Sequence, residues 1–134
     1  MVQLHFTLSE LIKSDTADRL KIDNMPKGYE YISLTRLVMN ALEPLREICG
    51  HPIRITSGFR CEALNKAVGG VSNSQHIRGE AADITAGSIE ANKRMFEMAI
   101  DYIPFDQIIL ERGGKWVHIS YKNRKENRNQ VLYS

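Results

Sequence analysis

Two imidazoles and a carboxylate stand where they can meet. The stretch SNSQHIRGEAADI, residues 72–84, sets His76 seven positions before Asp83, and WVHISY carries His118 further on. Alternate side chains of an extended strand share a face, so Ala81, Asp83 and Thr85 point one way, as do Trp116, His118 and Ser120. An aspartate on a face of small residues is unfavourable unless something partners it. A cation, a cluster of N–H groups or an arginine each supplies that partner. Two histidines and one carboxylate also form a catalytic type of zinc site, with three protein ligands and a fourth position left to water.

A fourth group adds proton transfer. Gly113-Gly114 is a hairpin signal, pairing Arg112 with Lys115 and Glu111 with Trp116. Ile109 then faces His118, and Glu111 lies diagonally beside that histidine on the same face. A carboxylate there suits a general base that takes a proton from water. The competing reading is a core histidine bonded to a backbone carbonyl, with Glu111 paired to a neighbouring arginine. Ser57 and Ser120 sit in no nucleophile elbow, and Cys61 has no histidine near it in sequence. His5 and His51 have no acidic or histidine partner at useful spacing and read as structural or surface residues.

Elements must hold these groups in place. Thr7 stands three residues before Glu10, a capping-box spacing that opens a short helix. Asn24, Pro26 and Gly28 make ADRLKIDNMPKGYE, residues 17–30, an irregular surface connection. Leu34, Leu37, Val38, Leu42, Leu45 and Ile48 recur at helical steps, predicting one amphipathic helix from Tyr31 to Cys49, ended near Gly50. Ile53 and Ile55 alternate with polar residues in a short strand, and a brief helix follows over 61–68, stopped by Gly69-Gly70. GEAADITA reads as a second strand. Ser88 caps a helix to about Ile103, with Ala91, Met95, Met98, Ala99 and Tyr102 along one side. The hairpin strands follow, and QVLYS adds an edge strand. Helices gather early and strands late, which predicts a single α+β domain over residues 1–134 with a mainly antiparallel sheet.

The bulk composition agrees. A chain of 134 residues with 43% hydrophobic and 25% charged content suits one soluble core. A net charge of +2 is too small to imply a nucleic-acid surface. The basic run YKNRKENRNQ reads as a solvated loop. No stretch approaches the roughly 20 apolar residues of a membrane helix. The start lacks the basic and apolar regions of a secretory signal, so synthesis into the cytoplasm is expected. Cys49 and Cys61 lack a C-x-x-C pairing and are expected to be free thiols.

ITSGFRCEALNKAVGGVSNSQHIRGEAADI followed by WVHISY closely resembles the zinc D-Ala-D-Ala carboxypeptidase-type peptidases (peptidase family M15), which include phage endolysins and bacterial cell-wall peptidases. The shared pattern runs S-G-[FY]-R, asparagine and G-G, S-x-H-x-x-G-x-A-x-D, then W-x-H. FTLSELIKSDTA and LEPLREICG look like the small phage and prophage branch, so the resemblance spans nearly the whole chain. It implies the hedgehog/D-Ala-D-Ala peptidase-like fold, one zinc ion on His76, Asp83 and His118, and Arg60 and Ser74 as substrate contacts. It implies a monomer acting on peptidoglycan peptides, with no nucleic-acid or membrane partner, reaching the wall after release or within a phage particle. One position departs. Family members carry the catalytic acid three residues before the last histidine, where this chain has Lys115, leaving Glu111 as the substitute. Asp106 starts a strand and Glu80 points away from Asp83, so neither competes well.

Overall fold

The computed structural model describes residues 4–134. Helix α1 (Leu8–Ile12) opens with both bonds of the expected capping box between Thr7 and Glu10 and buries Leu11. Helix α2 (Asp15–Leu20) was not expected, since its residues fall partly in the segment read as irregular. The signal was local: the Ser14 hydroxyl accepts from the Ala17 N–H, and Asp15 and Asp18 stand in the first turn, where the helix dipole favours them. Residues 22–28 are irregular, but not merely a surface link. Asn24 is buried. Its amide donates to the Ile12 and Phe59 carbonyls and accepts from the Cys61 N–H, binding three segments together.

The long central helix is interrupted. Helix α3 (Tyr29–Leu37) passes into a π-helical turn (Val38–Leu42) and then helix α4 (Glu43–Cys49), ending at Gly50 with φ 71°. Pro44 explains the turn: it has no N–H for the ladder, and its ring crowds the carbonyl four residues back. The extra residue advances the apolar stripe by one position. Leu34, Leu37 and Ala41 are therefore followed by Leu42 and Leu45, and Ile48 is left exposed, contrary to the sequence expectation.

Strands β1 (Arg54–Ser57), β2 (Ala81–Thr85), β3 (Gln107–Glu111), β4 (Trp116–Ser120) and β5 (Gln130–Tyr133) form one sheet in the order β1-β2-β4-β3-β5. Every pairing is antiparallel except β3 with β5. Helix α5 (Glu62–Ala67) lies in the connection from β1 to β2, and α6 (Ile89–Tyr102) in the connection from β2 to β3. One sheet face is core: Ala82, Ile84, Ile108, Val117 and Ile119 are all fully buried, and α6 packs against β3 and β4. The α6 stripe differs from expectation. Asn92, Met95, Phe96 and Ala99 are buried and Tyr102 is exposed. Asn92 turns the helix this way by donating to the Gly114 and Lys115 carbonyls and accepting from the Ala86 N–H, clamping the hairpin turn.

The register sets the other face. Ser57 lies opposite Asp83, Asp83 opposite His118, His118 opposite Ile109, and Ile109 beside Leu132, in a row across all five strands. The α+β fold is as the sequence indicates, and both cysteines are free. Among the described residues, no helix is long and apolar enough to cross a membrane.

Candidate metal centre

Asp83 and His118 stand side by side at the centre of the sheet, and His76 descends on them from the loop after α5. Ligand atoms of all three lie within 4.8 Å of one another. The loop is fixed by its backbone: the Arg60 N–H donates to the His76 carbonyl, and the His76 N–H donates to the Ser74 hydroxyl. Gly79, at φ 75°, closes it against α3, where a Cβ would strike the Glu30 carbonyl.

Hydrogen-bond roles decide what the cluster can accept. His76 Nδ1 sits 2.7 Å from the Gly58 carbonyl oxygen, which can only accept, so Nδ1 carries the proton. Nε2 is then a lone pair, and it faces Asp83 Oδ2 at 3.5 Å. His118 turns Nδ1 to Asp83 Oδ1 at 2.9 Å. A lone pair facing a carboxylate needs a proton or a cation between them. Burial alone would raise the Asp83 pKa, but the hydrogen bonds and charge of the two imidazoles outweigh it and hold the carboxyl far below its usual range. Two nitrogens and a carboxylate oxygen suit zinc.

Gly58 is indispensable to this arrangement. A Cβ there would drive into the Leu11 backbone carbonyl, which accepts from the Phe59 N–H at 2.7 Å. Gly58→Ala is predicted to lower unfolding free energy by about 1–3 kcal/mol through overpacking. Urea titration checks it, and an unchanged midpoint would refute the close approach.

The remaining sequence candidates lie around the trio. Arg60 is half-buried on the chain after β1. Burial lowers its pKa while the Asp83 charge raises it, and its buried Nε has no acceptor. The Trp116 indole N–H is likewise buried without a partner, and the Arg112 guanidinium lies 5.9 Å from the ring centroid. Glu111 pairs with Trp116 in register, as expected, on the His118 face. Its carboxylate stands outside the close trio, and Oε1 accepts from the Ser134 hydroxyl at 2.6 Å rather than from an arginine. Ser74 braces the His76 backbone. Lys115 is exposed in the hairpin turn.

A second buried acid escaped the sequence reading as a structural residue. Asp106 is fully buried. It accepts from Arg128 Nη2 at 2.7 Å, from Gln75 Nε2 at 3.0 Å and from the Arg128 N–H at 2.9 Å. Part of the basic run read as solvated is therefore committed, and Gln75, the residue before His76, ties Asp106 to the His76 loop. Burial opposes the charge, yet these bonds hold the Asp106 pKa down at about 2. Because the folded pKa is depressed, the stabilisation is present above the unfolded value near 4 and is lost as pH falls towards 2. Asp106→Asn is predicted to lose about 2 kcal/mol at neutral pH and to flatten the acid limb between about pH 4 and 2. Urea unfolding of both proteins across that range tests the sign, and parallel acid limbs would refute it.

Two comparisons bear on this geometry. A family model described as Peptidase M15 matches residues 4–120. A zinc D-Ala-D-Ala carboxypeptidase of Streptomyces albus G is 45% identical over 53 residues, which is 39% of this chain and 21% of that relative. The chain thus matches only about a fifth of the relative's length.

Proposed function

The chain belongs to the Peptidase M15 family, and from that premise we propose that it is a zinc metallopeptidase hydrolysing a peptide bond in bacterial peptidoglycan. The observation that carries this reading is the convergence of His76 Nε2, His118 Nδ1 and the Asp83 carboxylate, with His76 Nδ1 already committed to Gly58. The similarity to the Streptomyces zinc D-Ala-D-Ala carboxypeptidase supports a D-Ala-containing peptide as substrate. His76, Asp83 and His118 would hold the zinc, and the Gly58 bond fixes the His76 ring orientation. Bound there, zinc supplies Lewis acidity to the scissile carbonyl and to the attacking water.

The chain's own residues supply the rest. Glu111 takes a proton from the attacking water at its carboxylate and passes it to the leaving amine. The Ser134 hydroxyl holds Oε1, which leaves Oε2 free for that transfer. Arg60 donates to a substrate carbonyl or carboxylate, and its buried Nε is an open donor for such an oxygen. Arg60, half-buried and near enough to Asp83 to feel its charge, favours a substrate with an oxygen pair near the scissile bond. That fits a stem-peptide terminus or a cross-link, as in an endolysin acting on the wall from within.

A second reading is a wall-binding or phage structural module that keeps the metal without turnover. Lys115, at the family's usual acid position, favours it. Metal analysis and the release of new amino groups from purified peptidoglycan, with and without chelator, separate the two. Stoichiometric zinc with chelator-sensitive release supports the peptidase. Zinc without release supports the module.

A further inference from the structure

The edge of the sheet next to the metal centre is open. Strand β1 ends the sheet and pairs only with β2, so its outer side has no strand partner among the described residues. Beyond it lies a groove walled by the α1–α2 corner. Two adjoining cavities share Lys13, Ser14, Asp15 and Thr56; one continues to Arg54 and the other to Ser57 and Arg60. The groove therefore runs the length of β1 and reaches the centre, because Ser57 lies opposite Asp83. The register shift between Ile55 and Ser57 marks a bulge at Thr56, a device common next to active sites.

Its charge is uneven. Lys13 and Arg54 are exposed, and neither they nor Arg60 takes part in an ion pair among the described residues. Glu10 also lines the groove, with only Oε1 bonded, by the neutral Thr7 N–H and hydroxyl, so its charge remains. Three cations without an ion pair thus line the groove against two acids, Glu10 and Asp15, a positive excess.

We propose that this groove binds an extended peptide carrying a carboxylate, which adds as a strand to the outer edge of β1 and runs past Arg60 towards His76, Asp83 and His118. The proposal rests on the peptidase reading and assigns the arm of the substrate remote from the cleaved bond. The four residues of β1 span about 13 Å, room for three or four peptide residues. Main-chain hydrogen bonds to the edge supply affinity, as in other cases of strand addition. Lys13 and Arg54 select an acidic side chain and set its direction, although exposed pairs add little energy.

The test uses the full chain loaded with zinc and three probes. These are a short acyl dipeptide, the same peptide extended by four residues including a glutamate, and the extended peptide with alternate amides N-methylated. The extended peptide is expected to raise kcat/KM about tenfold over the short one, the size of one or two net backbone hydrogen bonds. N-methylation is expected to remove that gain. The double variant Lys13→Glu, Arg54→Glu is expected to bring the ratio of extended to short towards one. Amide chemical shifts on titration with an uncleavable extended peptide report binding without turnover, and are expected to move at residues 54–57. Shifts there without cleavage retain the groove and remove the peptidase. Cleavage with no preference for the extension, or with a preference that survives N-methylation, overturns the groove and retains the peptidase. Absence of both cleavage and shifts overturns both.

Discussion

His118→Ala is expected to abolish metal binding and hydrolysis together while the fold survives. His118 lies mid-strand in β4 between Val117 and Ile119, whose side chains enter the core on the opposite face. Truncating the imidazole leaves those contacts alone. It removes one of three donors and one of the two partners that keep Asp83 charged. Loss of a residue that merely orients a ligand lowers metal affinity by about 10–100-fold, so loss of the ligand itself should exceed that. Competitive chelator titration measures affinity, peptidoglycan release measures activity, and circular dichroism checks the fold. Asp83 keeps His76, so destabilisation should stay near 1–3 kcal/mol, the value of a lost hydrogen bond to a charged group. Wild-type turnover in this variant would end the zinc mechanism.

Glu111→Gln makes the complementary prediction: metal retained, turnover lost. The substitution keeps the shape of the side chain and an oxygen able to accept from Ser134, so the strand and its register should persist. What disappears is the ability to take a proton at neutral pH. General base catalysis contributes about 10²–10⁴-fold, and the deficit should fall on kcat rather than KM, because the side chain does not anchor substrate in this scheme. Equal zinc affinity with a large loss of kcat would support Glu111 as the base. Unchanged kcat would transfer the role elsewhere, and lost zinc would mean that Glu111 holds the centre structurally.

The His118 and Glu111 part of the site was legible because strand alternation and hairpin register are strict, whereas joining His76 and Asp83 to it rested on the family resemblance. Once Gly113-Gly114 fixed the turn, His118 had to face Ile109, with Glu111 on the same side, and the structure has that register. The capping residues Thr7 and Ser88 were equally plain. Long-range polar partnerships were not. Glu43 is buried among helices, accepting from the backbone of His5 and Phe6 and meeting the His5 ring. His5 had seemed without an acidic partner because that partner lies 38 residues away. Asp106 and Arg128 meet across 22 residues, and no local spacing records it. Asn92 hid for another reason: a polar residue on a helix reads as solvent-facing until an opposing turn supplies carbonyls. Pro44 was visible, but a stripe reading assumes constant pitch and could not foresee that the helix would widen around it.

The strand order also dictates when the centre can exist during synthesis. His76 and Asp83 are both present once β2 has formed. The third donor arrives 35 residues later, and β4 must insert between β2 and β3 before it is delivered. Pairing strands across such a sequence separation is slow relative to local helix formation. We therefore expect hydrolytic competence to be the last property the chain acquires, with zinc uptake trailing the recovery of helical signal during refolding. Stopped-flow circular dichroism beside a fluorescent zinc indicator would show this, and simultaneous phases would refute it. The centre is thus a late product of folding, completed only when β4 closes the sheet between β2 and β3.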